Sequence, residues 1–126
     1  MAKEIIHTEQ APAAVGAYSQ AVKAGNTVYL SGQIAIDPET QEIIDGGVEK
    51  QAERVLKNLK AVLAAADCSF KDVVKTEIFL DDINDFAAVN GVYAEYFTEE
   101  QPARACVEVG SLPKGVAVEI SLIAVK

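Results

Sequence analysis

Three side chains near the C-terminus have the types and spacing that could do chemistry. Arg104 and Cys106 alternate with apolar residues in the stretch ARACVEV, and Glu119 follows in GVAVEI. A planar guanidinium can bind a carboxylate through two charge-assisted hydrogen bonds, and a carboxylate can orient water or relay a proton. A thiol could act as a nucleophile, but no histidine or second base is positioned by the sequence to make Cys106 a thiolate. We therefore weigh a cysteine nucleophile lower than a site that binds a carboxylate and positions water.

Polar and apolar residues alternate in two C-terminal segments, 103–109 and 116–125, which predicts two strands. The six-residue loop GSLPKG between them indicates a hairpin, in which Cys106 stands opposite Glu119 and Arg104 is a diagonal neighbour of Glu119. One face then collects the three polar side chains, and the other, valine-rich face must meet the helices. The simplest alternative is that Arg104 and Glu119 form a surface ion pair that contributes little.

The remaining periodicities predict an α+β fold with the element order β, β, β, α, β, α, β, β. The elements before the C-terminal pair are a first strand within KEIIH, a hairpin around Gly25-Asn26, an amphipathic helix over 47–66, a strand over 72–80 and a second helix over 84–97. We expect a mixed sheet with two helices on one face, in a single domain spanning 1–126.

The sheet has apolar residues on both faces, which two helices cannot cover in a chain of 126 residues. In VYLSG, Tyr29 points to one side while Val28 and Leu30 point to the other, and Ile123 and Val125 continue the polar face of the last strand. Exposed apolar patches of this kind usually mark interfaces. We therefore predict a closed homo-oligomer with the polar cluster at or near the subunit seam, where a charge pair is more readily functional.

Composition limits the classes of function. The chain has 11 Lys and Arg against 19 Asp and Glu, and a formal net charge of −8 argues against nucleic-acid binding. The two cysteines lie far apart with no CxxC pair, which fits a reducing compartment. The N-terminus lacks an apolar signal region and no run is long enough for a membrane span, so we expect a soluble, cytoplasmic protein.

Two further polar residues have alternative interpretations. His7 is the only histidine, which argues against a zinc site, and nothing near it resembles a nucleophile turn. We therefore favour an ordinary residue at a strand end over a member of a Ser-His-Asp triad. Asn90 falls four residues after Phe86, inside an apolar helical stripe that also includes Tyr93. A buried amide with its own hydrogen-bond partners is favoured there over a ligand contact.

Five segments in order make the chain resemble the RidA/YjgF family of small trimeric enamine/imine deaminases along essentially its full length. They are AP…GAYSQAV, VYLSGQI, VVKTEIFLDDINDFAAVNGVYAEYF, PARACVEV and LPKGVAVEI. The resemblance implies a chorismate-mutase-like α+β sandwich and a homotrimer with a central barrel-like core and clefts between subunits. It also implies hydrolysis of 2-imino acids and enamines, such as 2-aminoacrylate from pyridoxal-phosphate-dependent dehydratases, to 2-keto acids and ammonia, without metal or cofactor.

The resemblance also implies roles for individual residues. Arg104 would clamp the substrate carboxylate, Glu119 would position or activate water, and Tyr18 would close the cleft. Cys106 would contribute mainly backbone contacts near the reacting carbon. The other cleft residues implied by the resemblance are Ser31, Gly32, Asn90 and Pro113.

Three positions depart from the family pattern. Ala17 stands where proline is usual, Gln41 where a turn glycine is common, and Ser121 where a second glutamate is common. Two other functions stay open beside imine hydrolysis. One is a ligand-sensing or partner-binding trimer without turnover, against which the presence of Arg104 argues, because some relatives keep the fold and lack this arginine. The other is nucleic-acid cleavage or translation inhibition, which the net charge disfavours.

Overall fold

A computed structural model describes residues 2–126 of the chain. Its helices are α1 (Val48–Ala65) and α2 (Phe86–Tyr96). Its strands are β1 (Lys3–Ile6), β2 (Ala21–Ala24), β3 (Thr27–Gln33), β4 (Ile36–Asp37), β5 (Glu42–Ile43), β6 (Val73–Leu80), β7 (Ala103–Glu108) and β8 (Val118–Val125). Apart from the small β4–β5 hairpin, the elements follow the predicted order. Within the described residues, no helix is long and apolar enough to cross a membrane.

The main sheet is mixed, as predicted. Its six strands have the order β1-β2-β3-β8-β6-β7, and every neighbouring pair except β6 with β7 is antiparallel. The parallel pair arises because α2 carries the chain back along the sheet between those two strands. The hairpin predicted around Gly25 joins β2 to β3, and Gly25 has a φ of +63°, which glycine adopts without steric cost.

The predicted C-terminal hairpin is wrong, because β6 lies between β7 and β8. Cys106 stands opposite Ile78 of β6, and Glu119 stands opposite Phe79, the next residue of the same strand. Successive residues of a strand point to opposite faces of the sheet. Arg104 and Cys106 therefore lie on one face and Glu119 on the other.

Strand β6, whose residues on the helix side are buried, separates the two C-terminal strands. It pairs with β8 along one side and with β7 along the other, so hydrogen bonds are made on both of its edges. Its residues Thr76, Ile78 and Leu80 are almost completely buried beneath the helices. Strand β7 is left at the edge of the sheet, and Val107, which was predicted to face the helices, is 47% exposed on the opposite face.

Both helices pack on one face of the sheet, as predicted. The fully buried apolar residues of α1 recur at steps of three and four and are Ala52, Val55, Leu56, Leu59, Val62 and Leu63. Val89 and Tyr93 of α2 belong to the same core, together with Leu30 of β3 and Ile120 of β8. Burying an aliphatic side chain of this size contributes about 1.5–3 kcal/mol. This layer therefore fixes the strands and the helix that carry the candidate site.

The opposite face of the sheet carries no helix within residues 2–126. Ile5, Tyr29 and Ile123 lie in one row across β1, β3 and β8, and Ile5 and Tyr29 are 54% and 51% exposed. Val107 and Val125 are exposed on this face as well. The expectation of an apolar surface on the uncovered side of the sheet is thus confirmed.

Candidate functional site

Arg104 lies on β7 and is held against α2 by three side chains. Its Nη1 donates a hydrogen bond to Asn90 Oδ1 at 2.7 Å. Its Cζ lies 4.9 Å from the centroid of the Tyr93 ring and 5.3 Å from that of Phe86. A cation over an aromatic face gains about 0.5–1 kcal/mol at exposed sites. These contacts therefore orient the guanidinium before any ligand binds, although Arg104 remains exposed to solvent.

The geometry of α2 brings these three partners together. Positions 86, 90 and 93 are separated by four and three residues, so their side chains share one face of the helix. Tyr93 is itself anchored, because its hydroxyl shares a hydrogen bond of 2.9 Å with Thr76 Oγ1 on β6. Burial raises the pKa of Tyr93, which keeps this ring a neutral phenol. A cavity of about 460 Å³ beside the cluster is lined by Asn90, Tyr93, Ala94, Phe97, Gln101, Pro102 and Arg104.

Asn90 fits both interpretations that the sequence left open, a paired amide and a ligand contact. Its side-chain oxygen is satisfied within the protein by Arg104, as expected for a paired amide. Asn90 is only partly buried, however, and it lines the cavity. It can therefore orient the guanidinium while its amide nitrogen remains available to a molecule in that cavity.

Cys106 lies two residues after Arg104 on the same face of β7 and is partly buried. Burial raises the pKa of the Cys106 thiol, and the nearby charge of Arg104 lowers it by less. His7 follows β1, at the opposite edge of the sheet from β7, so no imidazole is available to form a thiolate. Among residues 2–126, no group of three or more His, Cys, Asp or Glu side chains is arranged to hold a metal ion.

Glu119 lines a second and larger cavity, of about 640 Å³. The predicted site residues that line it are Tyr18, Ser31, Gly32, Pro113 and Glu119. The rest of the wall is mostly apolar and includes Val15, Ile34 and Ile36. Burial raises the pKa of Glu119, and within residues 2–126 no ion pair or hydrogen bond engages its carboxyl group. An unpaired carboxyl in an apolar cavity is suited to hold water or a proton.

The absence of a side chain at Gly32 creates the space for the Glu119 carboxyl group. A Cβ atom at position 32 would lie 2.1 Å from Glu119 Oε2, far inside the contact distance of the two atoms. The pairing of β3 with β8 shifts by one residue here, so Ser31 and Gly32 together stand opposite Ser121. The bulge and the glycine together bring the β3 backbone against the carboxyl group.

Ser31 connects this bulge to the segment that carries Tyr18. Its Oγ donates a hydrogen bond to the carbonyl of Ser19 at 2.6 Å, and its backbone N–H donates to the carbonyl of Gln20 at 3.0 Å. These bonds fix the C-terminal end of the segment, while Tyr18 itself is 52% exposed at the cavity. Ser31 thus acts on the cavity through the position of its neighbours as well as by lining it.

The predicted site residues therefore form two clusters rather than one. Arg104, Cys106 and Asn90 lie on the helix side of the sheet at the β7 edge, whereas Glu119 and its cavity lie on the uncovered side. The predicted diagonal contact between Arg104 and Glu119 is absent from the described chain, and so is an ion pair between them. The error follows from the wrong hairpin, because the intervening strand β6 reverses the relation between the two faces.

Sequence reasoning missed the aromatic partners of Arg104. Phe86 and Tyr93 were identified only as members of an apolar stripe. Their spacing from Asn90 placed all three on one helix face, but nothing in the pattern brought the β7 arginine to that face. Gln41 and Lys114 also line the Glu119 cavity without having been predicted to do so.

Comparisons with known proteins agree with this architecture. A family model described as Endoribonuclease L-PSP matches residues 8–126. A RutC family protein of Pyrococcus abyssi is 54% identical over 126 residues, which cover all of this chain and 99% of the relative. The 2-iminobutanoate/2-iminopropanoate deaminase of Rattus norvegicus is 51% identical over 124 residues, which cover 98% of this chain and 90% of the relative.

A solved structure gives the same result for the fold. The crystal structure of RidA from the Antarctic bacterium Psychrobacter sp. superposes with a TM-score of 0.94 at 52% sequence identity. The match covers 98% of this chain and 99% of the other. The similarity therefore includes both clusters and every strand that carries them.

Proposed function

Because the chain belongs to the RidA family, whose model is described as Endoribonuclease L-PSP, we propose that it hydrolyses reactive 2-imino acids and their enamines to 2-keto acids and ammonia. One observation carries this proposal. The chain presents a positioned but exposed guanidinium and an unpaired, partly buried carboxyl group, and each borders a cavity. These are the two groups that hydrolysis of a carboxylate-bearing imine requires.

The two groups would have to meet between subunits. Within one chain they lie on opposite faces of the sheet, so a substrate of a few carbon atoms cannot contact both. In the proposed closed homotrimer, the uncovered sheet faces surround a barrel-like centre and each β7 edge borders the Glu119 cavity of the next subunit. Such an assembly would bury the exposed side chains of Ile5, Tyr29 and Val107 between subunits. Exposed apolar surface of this kind supports the proposal of an assembly.

The proposed reaction uses the positions of these groups and no cofactor. Arg104 binds the substrate carboxylate with two parallel N–H donors, and a proton from solvent adds to the enamine carbon to give the iminium ion. Glu119 of the neighbouring subunit orients a water molecule, whose oxygen forms a bond to the imine carbon while its proton passes through the carboxyl group to nitrogen. The carbon–nitrogen bond then breaks as the new hydroxyl group gives its proton to the Glu119 carboxylate, which leaves a keto group and releases ammonia that takes up this proton.

The other residues of the two cavities have supporting roles in this proposal. Tyr18 closes the cleft over the substrate, and Asn90 holds the Arg104 guanidinium. The Cys106 backbone forms the wall beside the reacting carbon, and its neutral thiol is not a nucleophile. Ser31, Gly32 and Pro113 line the cavity on the Glu119 side.

The direct test supplies 2-aminoacrylate, or its four-carbon homologue, made in situ by a pyridoxal-phosphate-dependent dehydratase. We expect release of the keto acid to be faster than in buffer and to depend on the concentration of this protein. Release at the buffer rate would contradict the proposal. Calorimetric binding of keto acids without any turnover would instead support the ligand-binding trimer.

A further inference from the structure

Gln41 occupies a backbone conformation that normally favours glycine. It lies in the turn between β4 and β5 with a φ of +61°, in the left-handed region where most side chains are strained. Glycine would fit the same turn without that strain. A glutamine at this position therefore indicates that its side chain makes contacts that offset the conformational cost.

The contacts of the Gln41 side chain join two separate segments. Its Nε2 donates a hydrogen bond to the carbonyl of Pro38 at 2.7 Å, which orients the amide within the turn. Its Oε1 then accepts a hydrogen bond of 3.1 Å from the backbone N–H of Ala13. The amide is thus a bridge from the β4–β5 turn to the chain that leads to Tyr18.

That chain forms one wall of the Glu119 cavity, through Pro12, Ala13, Val15 and Tyr18. Gln20 Nε2 holds its beginning at the carbonyl of Pro12, at 2.8 Å, and Ser31 Oγ holds its end at Ser19. Between Ala13 and Ser19, residues 14–18 make no hydrogen bond with the rest of chain 2–126. The hydrogen bond from the Ala13 N–H to Gln41 Oε1 is therefore the last bond that holds this cavity wall before residues 14–18.

We propose that Gln41 is a positioning residue that holds the 13–18 segment against the Glu119 cavity and thereby sets the affinity for the imine substrate. The inference rests on the proposed function for its effect on substrate, but the attachment itself is independent of turnover. Gln41 also lines the cavity, so the amide is placed to maintain the shape of the opening. It does not contact the reacting atoms in this account.

Gln41→Gly is the informative variant, because glycine keeps the turn conformation while losing the bridge. Asp67→Gly is a matched control. Asp67 has nearly the same conformation, with a φ of +58°, and follows α1 outside both cavities. Each substitution removes the same type of backbone strain, so neither should lower the thermal midpoint of the protein.

Two readouts separate a positioning role from a merely structural one. For Gln41→Gly we expect hydrogen exchange at the Ala13 amide to be about tenfold faster, as loss of a single hydrogen bond allows. We expect the KM for 2-aminoacrylate to rise about three- to tenfold while kcat stays within about twofold, since Arg104 and Glu119 are untouched. Asp67→Gly should change neither quantity.

Unchanged exchange at Ala13 in Gln41→Gly would overturn the inference, and so would faster exchange with an unchanged KM. A thermal midpoint that falls in Gln41→Gly but not in Asp67→Gly, with KM unchanged, would show a structural role only. If the wild-type protein shows no turnover, the proposed function fails. The exchange measurement would then still decide whether Gln41 attaches the segment.

Discussion

At the residue scale, the guanidinium of Arg104 is oriented by one amide and two aromatic rings. Lysine keeps the positive charge but cannot form two parallel bonds to a carboxylate or lie flat between Phe86 and Tyr93. We expect Arg104→Lys to lower kcat/KM for 2-aminoacrylate by about 10- to 100-fold, the value of a charge-assisted hydrogen bond. Steady-state kinetics with the coupled dehydratase would measure this loss.

Arg54→Lys is the matched control for that substitution. Arg54 lies on α1 and its Nε donates a hydrogen bond to Asn58 Oδ1 at 3.1 Å, away from both cavities. Its activity should stay within about twofold of wild type, because lysine keeps the positive charge and Arg54 itself lines neither cavity. Equal losses in the two variants, or none in Arg104→Lys, would remove the carboxylate-binding role.

Gly32 defines the position of the Glu119 carboxyl group by leaving room for it. Gly32→Ala would bring a methyl group to 2.1 Å from Glu119 Oε2, so the carboxyl must move. We expect kcat to fall by about 100-fold, the lower end of what a positioned general acid or base contributes, because the carboxyl group is displaced and not removed. Because carboxylate binding by Arg104 is unaffected, the KM should change little. Kinetics at several pH values would measure both constants.

Gly91→Ala is the corresponding control, because a Cβ atom at Gly91 meets nothing within 4 Å. Gly91 is exposed in α2, where alanine is favoured over glycine by about 0.5–1 kcal/mol, so stability should increase. Its kcat should equal that of wild type. A Gly32→Ala protein that folds and retains full kcat would show that the carboxyl position is not important for the rate.

At the scale of elements, a hydrogen bond from the Tyr96 hydroxyl to Glu53 Oε1 connects α2 to α1. Burial first, and then the bond and charge of Glu53, raise the pKa of Tyr96 above its usual value of 10. A pKa raised in the folded state gives a stabilisation that is complete below pH 10 and is lost as pH rises beyond it. This connection should therefore weaken in alkaline solution.

We expect Tyr96→Phe to be less stable than wild type by about 1–2 kcal/mol at pH 7, the value of a hydrogen bond to a charged group. Above pH 10 the difference should shrink, because only the wild type must keep a buried phenol protonated. Urea unfolding of both proteins at equal concentration, at pH 7 and at pH 11, would measure the difference. A difference that is the same at both pH values would contradict this assignment.

The elements themselves could largely be predicted from the sequence. The spacing of buried residues in α1 and the alternation in β3, β6 and β8 are local patterns that report which side of each element is buried. The neighbour of β7 is not a local property. The short loop from Gly110 to Gly115 favoured a hairpin, but β6 pairs with both C-terminal strands and lies between them.

The distinction between local sequence patterns and strand order also explains which features of the site could be predicted. The residue types of Arg104, Asn90 and Glu119 indicated the chemistry, and the structure brings Arg104 to Asn90 and Glu119 to Gly32. Their division between two clusters depends on strand order and could not be read from alternation. The alternation in β7 likewise identified Val107 as apolar but not its side of the sheet. Val107 lies on the uncovered face and not in the core beneath the helices.

At the scale of the whole molecule, the uncovered apolar face and the divided site have one common explanation. A chain with a formal net charge of −8 keeps the apolar side chains of Ile5, Tyr29 and Val107 exposed on the uncovered face of its sheet. Assembly of three copies would cover these side chains and would bring the Arg104 cluster of one subunit to the Glu119 cavity of the next. The central claim is therefore that each site is built from two chains.

Subunit mixing tests this claim most directly. Arg104→Ala and Glu119→Gln should each be inactive alone, whereas refolding them together in equal amounts should restore activity. Each mixed trimer would contain one intact site, so about a quarter of the wild-type activity is expected from random mixing of three subunits. If the mixture is as inactive as the separate variants, although native mass spectrometry shows trimers that contain both variants, then Arg104 and Glu119 do not act together across a subunit boundary.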